Sequence, residues 1–382
     1  MRTVGVEEEL LIVDESTGRP EPLAGKILEQ VSAARRSGGS GPSLTAEFKQ
    51  EQIELLTEPC TDLGELLDRI RRTRSQAEAE ARVFGARVAA LATSPVPVET
   101  HTTDSPRFSA MMDAYALTAR EQLTCGLHVH VGIESDEEGV AIMDRIRIWL
   151  PVLTALSANS PFWNGADSGY ASYRTQAWSR WPTAGPPEIL GSAASYRALI
   201  RGLLDSGVPL DEGMMYFDVR LSRKHPTIEV RVADVCLEAA DTVVLAGLVR
   251  ALVETAATDW RMNKLPAPTS AALLRMAAWR ASQSGTNGTL LHPLTDHPEP
   301  AGRVIEALLD HVRPVLAAYG DLPGVQAGLE RIRERGTGER RQRDVFDRTG
   351  HLAQVAVDAA RITTRPQSTR GRFLDRIQDA GA

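Results

Sequence analysis

The spacing of apolar and polar residues divides the chain into elements. Residues 2–14, RTVGVEEELLIVD, form an apolar run with three embedded glutamates and predict a strand. Residues 14–20, DESTGRP, read as a turn. A helix is expected over 23–36, a glycine-rich loop over 37–42, and one or two strands over 44–57. Over 62–91, Leu63, Leu66, Leu67, Ile70, Ala77, Ala81, Phe84 and Val88 recur at helical spacing, with Asp62 as N-cap. A short strand over 90–94 is stopped by Pro95 and Pro97, and a helix follows over 106–120. QLTCGLHVHVGIE, 122–134, is the clearest strand after the first, and a helix is expected over 136–157. A long loop rich in Gly, Ser, Trp and Tyr covers 157–187, and a short helix 195–205. Strands over 214–222 and 227–232 are joined by 223–226, and a long helix covers 237–260. Residues 270–362 read as mostly helical, with loops at 284–300 and 335–343.

No internal repeat and no linker splits this pattern, so one catalytic domain is expected over 1–365, with a polar tail over 366–382. Long helices separate the strands, yet the hairpin-like pair near 214–232 argues for antiparallel pairing. The expected class is therefore α+β and not a doubly wound sheet.

Composition narrows the partners. Hydrophobic residues are 42% and charged residues 24%, the mixture of a soluble globular protein. No apolar run approaches the roughly 18 residues that span a bilayer, and the start lacks a basic segment followed by an apolar core, so no signal peptide is expected. A net charge of −7 disfavours nucleic acid and anionic membrane but leaves room for ATP, which local arginines can cradle. Cys60, Cys125 and Cys236 are odd in number and contain no CxxC pair. That disfavours a disulfide framework or a zinc ribbon, and a reducing cytoplasm is the default. The long helices and modest charge permit a dimer or tetramer.

Five stretches carry candidate chemistry. In VGVEEEL, Glu7 and Glu9 share one strand face while Glu8 points the other way. Two carboxylates on one face require a cation or water, and a solvated sheet face is the bland alternative. In TAEFKQEQIELLTEP, Glu47, Lys49 and Glu51 alternate, and Glu54 lies between Ile53 and Leu55; alone this is an exposed strand. In GLHVHVGI, His128 and His130 share a face, suited to a metal or a phosphate, or to a structural bond with backbone. In RLSRKHPTIEVRVAD, Glu229 and Arg231 share a face, with Arg220 and Arg223 on the partner strand or its turn. An ordinary cross-strand ion pair would look the same. SPFWNGADSGYASYRTQAW places Arg174 in a loop of small and aromatic residues, either a mobile surface loop or a phosphoryl-stabilising arginine.

Together, carboxylates, histidines and arginines converging on one sheet face suit Mg²⁺ and a nucleotide triphosphate, because Mg²⁺ prefers carboxylate oxygen and arginine forks to phosphate. No GxxxxGK[ST] exists, and no GxGxxG follows a strand, so the phosphate site is neither of the P-loop nor of the Rossmann kind.

GVEEEL, QIELLT, GLHVHVGI, the SPFWNG…ASYRTQAW loop and TIEVRVAD occur in this order, and in them the chain resembles the bacterial carboxylate–amine ligases related to type 2 glutamate–cysteine ligase. By motif the likeness covers about residues 1–260. It implies a glutamine-synthetase-like or guanido-kinase-like architecture: a curved, mainly antiparallel sheet whose concave face holds ATP and Mg²⁺, with helices outside. It implies ATP-dependent amide formation, in which the γ-phosphate converts a carboxylate to an acyl phosphate and an amine displaces phosphate. By position, it makes Glu7, Glu9, Glu54 and Glu229 metal ligands, with Glu47 a further one. His130, then His128, are implied near metal or phosphate, and Arg174, Arg220 and Arg231 at the nucleotide phosphates or the acyl phosphate. Small-molecule acid and amine substrates follow, selected by the aromatic loop 162–181. The alternatives weighed are a phosphoryl-transfer enzyme of the same fold acting on a guanidino or carboxylate group, and a non-catalytic binding protein that kept the fold.

Overall fold

The computed structural model describes residues 1–36 and 44–365. The expected glycine-rich loop over 37–42 and the polar tail over 366–382 lie outside the described residues. Within them, seven strands form one antiparallel sheet: β1 (Val4–Asp14), β2 (Leu44–Ala46), β3 (Gln52–Leu56), β4 (Ala86–Ala89), β5 (Gly126–Gly132), β6 (Val219–Leu221) and β7 (Thr227–Asp234). Their spatial order is β2-β3-β1-β5-β7-β6, and β4 pairs with the end of β1 beside β5. The chain is thus α+β with an antiparallel core and helices packed around it, as the hairpin-like pair predicts.

Alternation decides which face goes where. Val4 and Val6 of β1, Leu127, Val129 and Val131 of β5, and Ile228 and Val230 of β7 all enter one apolar core. The helices Leu63–Arg82, Asp136–Ile146, Leu150–Ser157 and Ala239–Arg261 close that face. The other face therefore receives Glu7, Glu9, His128, His130, Glu229 and Arg231.

Glu8 is the exception on the core face. Its carboxylate is 2% exposed and accepts from Arg74 Nε at 2.8 Å and Nη2 at 2.6 Å, and from Thr242 Oγ1 at 2.7 Å. Arg74, equally buried, spends its remaining donors on the carbonyls of Leu237 and Cys236. Arg74 thus neutralises Glu8, and together with Thr242 it ties β1 to two helices.

Several expected boundaries are corrected. The helix from Asp62 ends at Arg82, because Gly85 takes a φ of 72° and the next residues join the sheet as β4. Phe84 is therefore exposed and Val88 is a strand residue. Asp62 does cap the helix, accepting from Glu65 N–H at 2.7 Å. The expected strand over 90–94 contributes only an isolated bridge at Thr93. The helix expected over 136–157 is two, Asp136–Ile146 and Leu150–Ser157, with Pro151 in the first turn of the second. The long loop 157–187 contains the hairpin of Phe162–Trp163 with Ala166–Asp167 and the short helix Tyr173–Trp178. The loop expected at 284–300 holds a hairpin, Thr289–Leu291 with Pro298–Pro300, and helix Gly338–Thr349 fills most of the loop expected at 335–343.

The buried Glu8–Arg74 pair supplies a stability test. Arg74→Met should destabilise the protein by roughly 3–5 kcal/mol, since it strands a buried carboxylate. Glu8→Leu combined with Arg74→Met should recover a good part of that loss. Urea denaturation of the three proteins measures both; equal midpoints for single and double variants would contradict the account.

Candidate active site

Register assembles the site across strands far apart in sequence. Glu9 on β1 lies opposite Glu54 on β3, which lies opposite Thr45 on β2. Glu7 lies opposite His128 on β5. His130 lies opposite Glu229 on β7, which lies opposite Arg220 on β6. A bulge between Leu127 and Val129 shifts β5 against β7. The candidates on these strands, named from four separate stretches, thus share one sheet face.

Their contacts are close. His128 Nδ1 is 3.1 Å from Glu7 Oε2, and His130 Nε2 is 3.2 Å from Glu7 Oε1. His130 Nδ1 meets Thr227 Oγ1 at 3.0 Å. Glu9 Oε2 accepts the Gly126 N–H at 2.6 Å, and Glu54 Oε2 accepts from Thr45 Oγ1 at 2.6 Å. Arg220 forks onto Glu229 at 2.8 and 3.1 Å, and Arg231 Nη1 also donates to Glu229. This is a cross-strand ion pair, but Glu229 is 2% exposed, unlike a weak surface pair.

Among the described residues, three groups each place their ligand atoms within 4.8 Å of one another: Glu7, Glu54 and His128; Glu7, His130 and Glu229; and Glu9, Glu47 and Glu54. The groups overlap through Glu7 and Glu54. Glu47 joins because the chain bends between β2 and β3. The same bend breaks the expected alternation of 47, 49 and 51. Lys49 turns into the interior, 4.6 Å from the Phe48 ring, and burial lowers it to about 8. Glu51 is bound to His101, with Nδ1 at 2.7 Å.

Charge is unevenly balanced on this face. Burial alone would raise Glu7 and Glu229. The histidines outweigh it at Glu7, and Arg231 and Arg220 outweigh it at Glu229, so both carboxyls fall below their usual range. Burial, then Glu7 and Glu9, push Glu54 up to about 8. Burial, then Glu54 and Glu9, push Glu47 well above the usual range. Burial and Arg231 lower His128, whereas the bond to Glu7 overcomes burial and raises His130. Nε2 of His128 is buried without a hydrogen-bond partner.

Arg174 arrives from outside the sheet, on helix Tyr173–Trp178 and not in an open loop. It is 2% exposed, its Nη2 donates to the Arg231 carbonyl at 3.3 Å, and its Nε has no partner. Gly126 makes room for it: a Cβ there would lie 2.3 Å from Arg174 Nη2.

Asp234, the last residue of TIEVRVAD, is a positioning residue that sequence reasoning missed. Its carboxylate accepts from Asn159 N–H at 2.8 Å, Ser160 Oγ at 2.7 Å and Ser172 Oγ at 2.8 Å. Ser160 Oγ in turn accepts the Arg174 N–H at 3.0 Å. A charged residue closing an otherwise apolar strand end is the signal that could have found it.

Two solved structures share the fold. A glutamate–cysteine ligase from Francisella tularensis superimposes with TM-score 0.65 at 13% identity, over 99% of this chain and 92% of that one. A bifunctional glutathione synthetase from Pasteurella multocida gives TM-score 0.68 at 16% identity, over 95% of this chain and 52% of that one. Closer in sequence is a protein provisionally named glutamate–cysteine ligase 2-1 of Paenarthrobacter aurescens (strain TC1), 54% identical over 365 residues, 95% of each chain. One provisionally named glutamate–cysteine ligase 2 of Streptomyces coelicolor is 49% identical, over 95% of this chain and 99% of the relative.

Relatives and fold define a carboxylate–amine ligase, an enzyme that forms an amide at the expense of ATP. More particularly, the model of glutamate-cysteine ligase family 2 (GCS2) matches residues 3–365, and the chain belongs to that family.

The raised Glu54 gives a signed pH test. Its usual value is 4.5 and its folded value about 8, so its penalty is absent below pH 4.5 and grows as pH rises toward 8. Without divalent cations, the Tm of Glu54→Gln should therefore exceed that of wild type by a margin that widens over this interval. Mg²⁺ should stabilise wild type more at pH 8 than at pH 6. Thermal melts across the range read both effects, and a margin that narrows with pH would refute the assignment.

Proposed function

We propose that the sheet face carries ATP-dependent activation of a substrate carboxylate, with Mg²⁺ held by Glu7, Glu9, Glu54 and Glu229, and by Glu47 at the margin. One observation carries this reading: three overlapping sets of carboxylate and imidazole ligand atoms share a face with Arg220 and Arg231, and Arg174 packs against its edge. The donor set fits the ion. Most of its atoms are carboxylate oxygens, which hard Mg²⁺ prefers. Burial and mutual repulsion together raise Glu47 and Glu54, and a divalent cation would offset both. Bound Mg²⁺ would supply charge neutralisation to the phosphates.

The side chains supply the rest. Arg174 and Arg231 each keep a buried Nε–H without a protein acceptor, donor capacity suited to phosphoryl oxygens. Arg220 spends its fork on Glu229 and adds positive charge beside it. His130 and His128 orient Glu7 from two sides. Phosphoryl transfer needs positioning and charge stabilisation more than covalent help, and these groups provide both. The substrate carboxylate attacks the γ-phosphate to give an acyl phosphate and ADP. An amine then attacks the acyl carbon, phosphate leaves, and an amide remains.

The family makes L-glutamate and L-cysteine the first acid and amine to test, with a γ-glutamyl amide as product. A cytoplasmic setting is consistent with three buried free cysteines and with no described helix long and apolar enough to cross a membrane. The net charge of −7 favours small-molecule substrates over nucleic acid.

ADP release, followed with pairs drawn from a panel of amino acids and amines, tests the reading. The expected result is amine-dependent turnover with a new amide detected by mass spectrometry. Turnover with no pair, together with no Mg²⁺-dependent nucleotide binding, would refute it. Glu9→Gln retains an acceptor for the Gly126 N–H but loses the charge. It should weaken Mg²⁺-dependent ATP binding by at least the roughly 10- to 100-fold that loss of an outer-shell partner costs, without lowering Tm. Calorimetric titration measures this, and unchanged binding would remove Glu9 from the metal set.

A further inference from the structure

Phe217, Val219 and Leu221 of the β6 region enter the apolar core. Asp218 and Arg220 therefore turn to the opposite face, the one that carries Glu229. The Asp218 backbone is committed: its N–H donates to the Gly185 carbonyl at 3.1 Å, and its carbonyl accepts the Arg231 N–H at 2.9 Å. Its carboxylate is not committed. Among the described residues it has neither a hydrogen-bond donor nor an ion-pair partner, and burial, only partly offset by Arg174, pushes it up to about 7. Asp218 is half-buried, so its carboxylate meets the space beside it with no side chain to neutralise it, and it has no structural task here.

That carboxylate borders a cavity of about 250 Å³. Arg174 and Arg231 form its inner end, Trp178 and Tyr216 line it, and Met276 and the half-exposed Trp279 stand at the outer side. One cavity thus brings a free carboxylate together with two arginines whose unpartnered donors suit phosphoryl oxygens.

We propose that this cavity admits the amine substrate and that Asp218 receives its nitrogen and takes its proton. The inference rests on the ligase reading and adds to it the entry of the second substrate. A primary amine arrives at neutral pH as an ammonium ion, which a free carboxylate attracts, whereas nucleotide phosphates would be repelled. Ammonium has no lone pair to offer, so attack requires that one proton leave. The proton passes from nitrogen to an Asp218 carboxylate oxygen. The freed lone pair forms the C–N bond at the acyl carbon, and the C–O bond to phosphate breaks, its electron pair leaving with phosphate. Arg174 from helix Tyr173–Trp178, Arg231 from β7 and Arg275 from helix Ala271–Ser284 face the same cavity, and Arg220 lies two residues along the strand. Arg174 offsets part of the basicity that burial gives the carboxylate, and a carboxyl near 7 can both take a proton from the amine and release it each cycle. The aromatic and thioether walls favour an amine whose remaining body is apolar or sulfur-bearing.

Two nucleophiles separate this role from the rest of the reaction. Hydroxylamine is uncharged near pH 7.5 and traps an acyl phosphate as a hydroxamate without needing a base. Wild type and Asp218→Asn are assayed with ATP, Mg²⁺ and each of the twenty amino acids as the acid. The nucleophile is hydroxylamine, or one of L-cysteine, ethylamine and phenethylamine. The Asn variant should form hydroxamate within about threefold of wild type while amide formation falls on the order of 100-fold. Its deficit should shrink as pH rises toward the amine's own pKa. Parallel loss of both products, loss of neither, or a raised KM for ATP with an unchanged ratio of amide to hydroxamate would overturn the role of Asp218. If wild type forms neither product, the ligase reading itself falls, and this assignment with it.

Discussion

The structure depends on how one central strand disposes of its charge. β1 is flanked on one edge by β3 and on the other by β5 and β4, so water cannot reach its backbone, and its side chains must be satisfied from within. On the helix side the protein supplies the answer: Glu8 has Arg74, and Arg74 has two further carbonyls. On the other side it supplies only part of one. Arg220 and Arg231 both turn to Glu229, leaving Glu7 with two imidazoles and Glu9 with a backbone N–H. Glu47 and Glu54 are left repelling each other. The strand is neutralised where it builds the fold and left short of positive charge where it faces the site.

The remainder of the chain is attached through a second hub. Asp234, at the end of β7, holds Asn159, Ser160 and Ser172, and Asn159 is held in turn by Gln342 from helix Gly338–Thr349. This hub fixes the 157–187 segment against the sheet and so carries Arg174 to its place over Gly126. The arginine's position is therefore set by hydrogen bonds made at its helix's first turn, and by the absence of a side chain opposite its guanidinium.

What the sequence made legible was what strand alternation controls. The split of Glu7 and Glu9 from Glu8, the pairing of His128 with His130, and that of Glu229 with Arg231 all follow from a two-residue period. The helix from Asp62 was extended too far because Phe84 and Val88 happen to continue the helical spacing, and only Gly85 marks the break. The bend at 47–51 was read as alternation because local spacing cannot show where a chain leaves a sheet. Asp234 and Asp218 are hard to read from sequence for a different reason. The charge of Asp234 at an apolar strand end is visible locally, but what each aspartate does depends on partners, or a lack of them, from segments dozens of residues away.

If the cavity beside Asp218 admits the amine, this division also locates substrate choice. The sheet persists in solved structures that share only 13–16% identity with this chain, so the architecture places few demands on particular residues. The cavity beside Asp218 is walled by helix Tyr173–Trp178, by Tyr216 ahead of β6, and by helix Ala271–Ser284, none of which pairs into the sheet's centre. Substitutions there can change the shape and polarity of the cavity while leaving the register of β1, β3, β5 and β7 untouched. On the proposed reading, a scaffold arranged in this way can keep one activation chemistry while its second substrate varies, because the arginines proposed to meet phosphate, Arg174 and Arg231, also wall the cavity.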